Sequence, residues 1–173
     1  TKSVSSKGGT QTTPFDIDAA DYEENRHFFL AHFFRSHYAQ HMRTLPHITS
    51  GVSITRIEVW VTNRSGNTTN TRNIIALADL AESKYTSNTT QRGASAIEVL
   101  PSHSANLEYQ QMVSQYAAAR NIDQTSDVLG AIPGFSGGVD YEKVQSARLL
   151  TSSEYTLNKS LGYLSLKSGL QPD

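Results

Sequence analysis

The chain of 173 residues contains no cysteine, a single tryptophan and no excess of charge of either sign, and each shortage closes off a class of function. Without cysteine there is no disulfide framework, no thiol nucleophile and no thiolate metal site, although the redox compartment stays open. Fifteen basic residues against 16 acidic ones give a formal charge of -1. No positive stripe can therefore neutralise a run of phosphates, the main source of nucleic-acid affinity, and nucleic acid is not an expected partner. The longest apolar run, Ile74 to Leu77 extended past Asp79, falls far short of the ~20 residues of a membrane-spanning helix. Direct insertion into a bilayer is not expected of this segment. The chain opens at Thr1 without a methionine or a signal-peptide pattern and stops at Gln171-Pro-Asp173, just after an apparent hairpin, so it is expected to be an excised piece of a longer protein.

What is present suffices for one core. A hydrophobic fraction of 37% over this length fits a single domain. Residues 1–20, rich in Ser, Thr, Lys and Gly, are expected to form a flexible N-terminal segment, and residues 21–173 a single α+β domain. From Glu23 to Leu45, Leu30, Phe34, Tyr38 and Leu45 recur at the spacing of an amphipathic helix that Pro46 ends. The period then changes. Ile57, Val59 and Val61 share one strand face while Arg56, Glu58 and Trp60 share the other, with Val52 and Ile54 in the opposite phase, so a bulge or twist is expected near Thr55. A polar turn at 64–70 leads to a second strand over Asn73 to Leu80, which predicts a first hairpin.

Ser83 to Gly93 reads as a loop and Ala94 to Leu100 as a short strand. Tyr109, Met112, Val113 and Tyr116 predict a second helix, and Asp123 to Ile132 a short third. Gly130, Pro133, Gly134, Gly137 and Gly138 place a hinge at 130–138. Val139 to Leu150 suits either a helix or a strand, and the reading favours helix. Tyr155 and Leu157, the turn residues Asn158 to Gly162, and Leu164 and Leu166 predict a final hairpin. The expected fold is α+β, a mostly antiparallel sheet built from hairpins with two to three helices packed on one face.

No constellation of catalytic chemistry survives weighing. Gly134-Phe-Ser-Gly-Gly138 matches the nucleophile elbow that would present Ser136 to a base, yet no convincing strand precedes it and the last histidine, His103, comes before the serine. A small serine hydrolase is thus the lesser reading beside a glycine-rich loop. His37 and His41 have the i, i+4 spacing of a zinc pair without the glutamate of the metalloprotease motif, and histidines at a core margin are the commoner outcome. No catalytic, cofactor or metal residue is assigned. Arg26 and Arg35 flank Phe28, Phe29, Phe33 and Phe34, an arrangement that invites base stacking, but helical spacing makes these rings core, and Glu23 and Glu24 would repel phosphate. Phe28, Phe29 and Trp60 remain as candidate partner contacts, Trp60 being either core or a docking or sugar-stacking platform of a surface adhesin.

Several phrases have a recognisable order: Arg26-His-Phe-Phe-Leu30, Ile54-Thr-Arg-Ile-Glu-Val-Trp-Val-Thr-Asn63, Thr71-Arg-Asn-Ile-Ile75, Ala147-Arg-Leu-Leu150, Ser153-Glu-Tyr-Thr-Leu157 and Leu161-Gly-Tyr-Leu-Ser-Leu166. Together they cover roughly half the chain, and they resemble the SprA/Sov family, outer-membrane translocons of the type nine secretion system of gliding and oral Bacteroidetes. The resemblance implies a parent that forms a very large barrel, through which folded cargo leaves the periplasm. It implies as partners other parts of that protein, the plug and lateral-gate proteins, and exported proteins. It places this segment in the cell envelope, in the periplasm or at the cell surface, as a non-catalytic structural domain.

Overall fold

The computed structural model describes residues 16–66, 68–82, 85, 100–101 and 106–171. The first dozen residues, nearly all of the loop expected at 83–93 and the strand expected at 94–100 except Leu100 lie outside the described residues. The fold is α+β. Among the described residues six strands, β1 (His27–Phe29), β2 (Trp60–Val61), β3 (Thr71–Leu77), β4 (Tyr141–Leu149), β5 (Tyr155–Asn158) and β6 (Tyr163–Leu166), pair antiparallel in two three-stranded sheets. One has the order β1-β6-β5 and the other β2-β4-β3. The described residues also hold three α-helices, α1 (His32–His41), α2 (Leu107–Ser114) and α3 (Thr125–Gly130), with short 3-10 turns at Ala19–Asp21, Met42–Thr44 and Ala117–Arg120.

The β5–β6 hairpin of the first sheet grows from local sequence. Tyr155 and Leu157 stand opposite Leu166 and Leu164, so alternate apolar residues share the core face. Asn158 closes the hairpin turn by accepting from Leu161 N–H on its side chain at 2.9 Å and from Gly162 N–H on its carbonyl at 2.8 Å. Gly162 has φ +62, and a Cβ there would lie 2.1 Å from the Phe34 ring. Only glycine meets both demands, the left-handed backbone and the space for a ring. Phe34 is buried to 1% exposure beneath it, the interior position that its helical register predicts.

The second sheet is made from distant segments, and across the two sheets three expectations are corrected. Val139 to Leu150 is not a helix, because Tyr141–Leu149 forms the central strand β4 between β2 and β3. The expected first hairpin does not form for the same reason, since β2 and β3 each pair with β4 and not with one another. Ladder bonds on both sides of β4 outweigh a helical pattern that was weak over this stretch. A bulge interrupts β4, where Ser146 takes φ +49 and its amide donates to Asn73 Oδ1 at 2.8 Å. The third correction concerns Glu23 to Leu45. Asn25 takes φ +56, which stops any helix there, and Arg26 carbonyl accepts from Leu166 N–H at 2.8 Å. His27–Phe29 therefore joins the first sheet as β1, and α1 begins only at His32.

Residues 51–59 lie between the two sheets. Val52 and Ile54 pack on Ala31, Phe33 and Phe34, whereas Ile57, Val59 and Val61 pack on Leu150, Leu164 and Leu166. The change of phase falls at Thr55 and Arg56, both exposed, where the sequence pattern places it. A second core, Ala119, Leu129, Ile132 and Phe135, lies against Ile75, Leu77 and Tyr141 of the second sheet.

Candidate functional site

Phe28 and Phe29 follow one another on β1 and so point to opposite faces of the first sheet. Phe28 stands opposite Leu164 at the margin of the core, and Phe29 opposite Tyr163. They are 36% and 40% exposed. Phe29, Tyr38 and Tyr163 form an edge-to-face trio with ring centroids 5.5–6.4 Å apart. On the same face His27 Nδ1 is hydrogen-bonded to Ser165 Oγ at 2.8 Å, and its Nε2 to Glu23 at 2.7 Å. The result is an aromatic surface with a polar border.

Trp60 is half-buried on β2. Its indole N–H donates to Glu58 at 3.2 Å, and the Arg72 guanidinium lies 5.4 Å from the ring centroid. The Arg56 guanidinium is the larger cause, and the Trp60 N–H the next, of a lowered Glu58 pKa. Arg72 reaches Trp60 across β4, where Ala147, its own register partner, is fully buried. The cation on one ring face and the carboxylate on the N–H take up much of what a stacking platform would offer.

Ser136 is exposed, and its N–H and Oγ both donate to Asp140 Oδ2, at 2.8 and 3.3 Å. The glycine loop is folded around that carboxylate, with Gly134 and Gly138 at φ +71 and +79 and Phe135 stacked on Tyr141 at 5.3 Å. His103 lies outside the described residues. His37 and His41 stack at 5.8 Å, and His37 Nδ1 is engaged by Phe33 carbonyl at 2.9 Å. Among the described residues no group of three or more His, Asp or Glu is placed to hold a metal ion. Phe33 and Phe34, 7% and 1% exposed, belong to the interior, not to a base-stacking surface.

Four buried acids, Asp79, Glu82, Glu108 and Asp140, were not foreseen from the sequence, and Asp79 and Asp140 lie close enough to Glu108 for their charges to act on it. Glu82 accepts from the amides of His32 and Phe33 at 2.8 and 2.6 Å, capping an α1 whose own N-cap residue, Ala31, has no side-chain acceptor. Asp79 accepts from Ala81 N–H at 2.9 Å and from Glu108 N–H at 3.1 Å, which fixes the start of α2. Glu108 itself is 1% exposed, and among the described residues neither of its carboxylate oxygens has a hydrogen-bond partner. Burial, and then the neighbouring Asp79 carboxylate, push its pKa up to about 7. One signal was available: Glu108 and Met112 fall on one face of α2 at i, i+4 spacing, so an acid shares the apolar stripe. β3, α2 and the 117–120 turn border an open, mostly apolar pocket of about 230 Å³ lined by Leu77, Tyr109, Met112 and Tyr116 among others.

An α+β domain with apolar and aromatic surface and no helix among its described residues long and apolar enough to cross a membrane belongs by sequence among motility-related and secretion proteins. Residues 1–171 match the family model SprA_N, described as motility related/secretion protein, and the chain is a member of that family. A comparison with curated proteins finds no match.

Proposed function

We propose that this chain is a non-catalytic structural and interaction domain of a SprA-like outer-membrane translocon, serving type nine protein secretion and gliding motility in Bacteroidetes. The observation that carries the reading is the family match over residues 1–171, which extends the resemblance of a few phrases to the length of the chain. The domain lies in the cell envelope, on the periplasmic or outer side of the membrane. It packs against other parts of the same large protein, against translocon partner proteins and in passing against exported cargo. Phe28, Phe29 and Trp60 are its contact residues, and the half-exposed rings of β1 support that role.

The test is deletion of Asp21 to Leu166 from the parent, with a short flexible linker joining the ends. The remaining barrel is expected to insert while cargo export or the permeability seal is perturbed. Normal secretion, normal exclusion of large antibiotics and undiminished co-purification of partner proteins would together overturn the proposal.

A further inference from the structure

Of the residues of α2, Glu108 alone is buried. The apolar side chains that ordinarily hold such a helix down are covered only in part: Tyr109 and Val113 are exposed, and Met112 is half-buried against the core of Ala119, Leu129, Ile132 and Phe135. The deepest anchor of α2 is therefore an acid. Its two oxygens have no hydrogen-bond partner, and the charges that act on it are both negative, Asp79 two residues past β3 and Asp140 just before β4. The start of α2 is tied to the same place by two bonds, from Glu108 N–H to Asp79 Oδ2 at 3.1 Å and from Asn106 Nδ2 to the Asp79 carbonyl at 3.3 Å. Such a site accepts a protonated, neutral glutamic acid, whereas the ionised side chain adds a charge without a donor beside two others.

From this we infer that α2 is a proton-operated latch, held on the second sheet while Glu108 carries a proton and released as a unit, with both sheets still folded, when Glu108 ionises. Release carries the carboxylate into water and uncovers Ile75 and Leu77 of β3, which line one pocket with Met112. The sign follows from the two forms. The closed form keeps the Glu108 proton up to about pH 7, and the open form gives it up near the ordinary value of 4.5. The closed form therefore loses ground as pH rises between those values and no further above them. Opening of α2 should grow by close to tenfold per pH unit in that window, about 100-fold in all. The latch is independent of the translocon assignment.

The experiment is native-state hydrogen exchange of the whole chain from about pH 4.5 to about pH 8, with and without urea below the unfolding transition, each rate divided by that of an unstructured peptide at the same pH. The amides of Met112 to Gln115 should exchange through an opening that urea barely promotes and that exceeds the opening of the β4 amides, which should respond to urea as the whole molecule does. The opening of α2 should rise about 100-fold across the range. Glu108→Gln, which keeps the shape of the protonated side chain, should hold it near its acid value throughout. Exchange of α2 at the rate and with the urea dependence of β4 would overturn the inference, because the helix would then leave only with the whole fold. So would a local opening of α2 that does not change with pH, a result that the parent chain delivers without any variant.

Discussion

The two sheets of this molecule are made in opposite ways. The first is closed by an apolar seam, with Phe34 seated under Gly162 and Leu164 and Leu166 beneath residues 57–61. The second is braced at one end by buried carboxylates, Asp79, Glu108 and Asp140. Two glutamates show the difference. Glu154, in the turn that enters β5, has its pKa lowered to about 2, first by the Thr151 N–H and then by Arg148. Glu108, at the start of α2, is pushed up to about 7 by burial. The same side chain is held charged where the backbone supplies donors and driven towards neutrality where it supplies none. One half should therefore respond to packing changes and the other to pH.

Removing the ring at the centre of the first half has the largest expected effect. Phe34→Ala should cost ~3–5 kcal/mol, read as the shift in denaturant midpoint. Gly162→Ala alone should cost ~2–4 kcal/mol, through strain at positive φ and collision with the ring. The double variant should fall well short of the sum, because the vacated space admits the new methyl group. Strict additivity would mean that the two residues do not meet.

In the second half, stability should decline as pH rises from ~4.5 towards 7. The folded state keeps a proton on Glu108 that the unfolded chain releases at lower pH, and above pH 7 the full penalty of roughly 3 kcal/mol applies. Glu108→Gln should flatten that decline and stabilise the chain at pH 8 while changing little at pH 4, checked by melts across the range. A variant with the parent's pH profile would place the titration elsewhere.

The smallest effect is expected at Ser136. Its hydroxyl makes one bond of 3.3 Å at an exposed site, so Ser136→Ala should cost less than ~1 kcal/mol. Reaction with a fluorophosphonate probe that this substitution abolishes would contradict the non-catalytic reading.

Within the first half, the β5–β6 hairpin and the place of Phe34 were legible because their signals are local. The β5–β6 hairpin, its Asn158 to Gly162 turn and the interior place of Phe34 all follow from residues close in sequence. The change of phase at Thr55 and Arg56 was readable on the same ground. What escaped was decided by distant partners. β4 carries a pattern that fits two periods, and its pairing on both sides with β2 and β3 settled the matter. Asn25 and the ladder to β6 cut β1 away from the helical stripe that continues into α1. The buried acids were the least visible, since carboxylates scattered along a sequence look solvated until the fold buries them. Only the place of Glu108 on the apolar face of α2 hinted otherwise.

The position of β4 between β2 and β3 also bears on when the protein can fold. During synthesis, β2 and β3 are finished long before the strand that must separate them, and Asn73 waits 73 residues for Ser146. β1 waits longer, with His27 meeting Ser165 across 138 residues. Neither sheet is complete until its late strands, β4 and β6, have left the ribosome, so the sheets close only after the costly loops have been drawn shut.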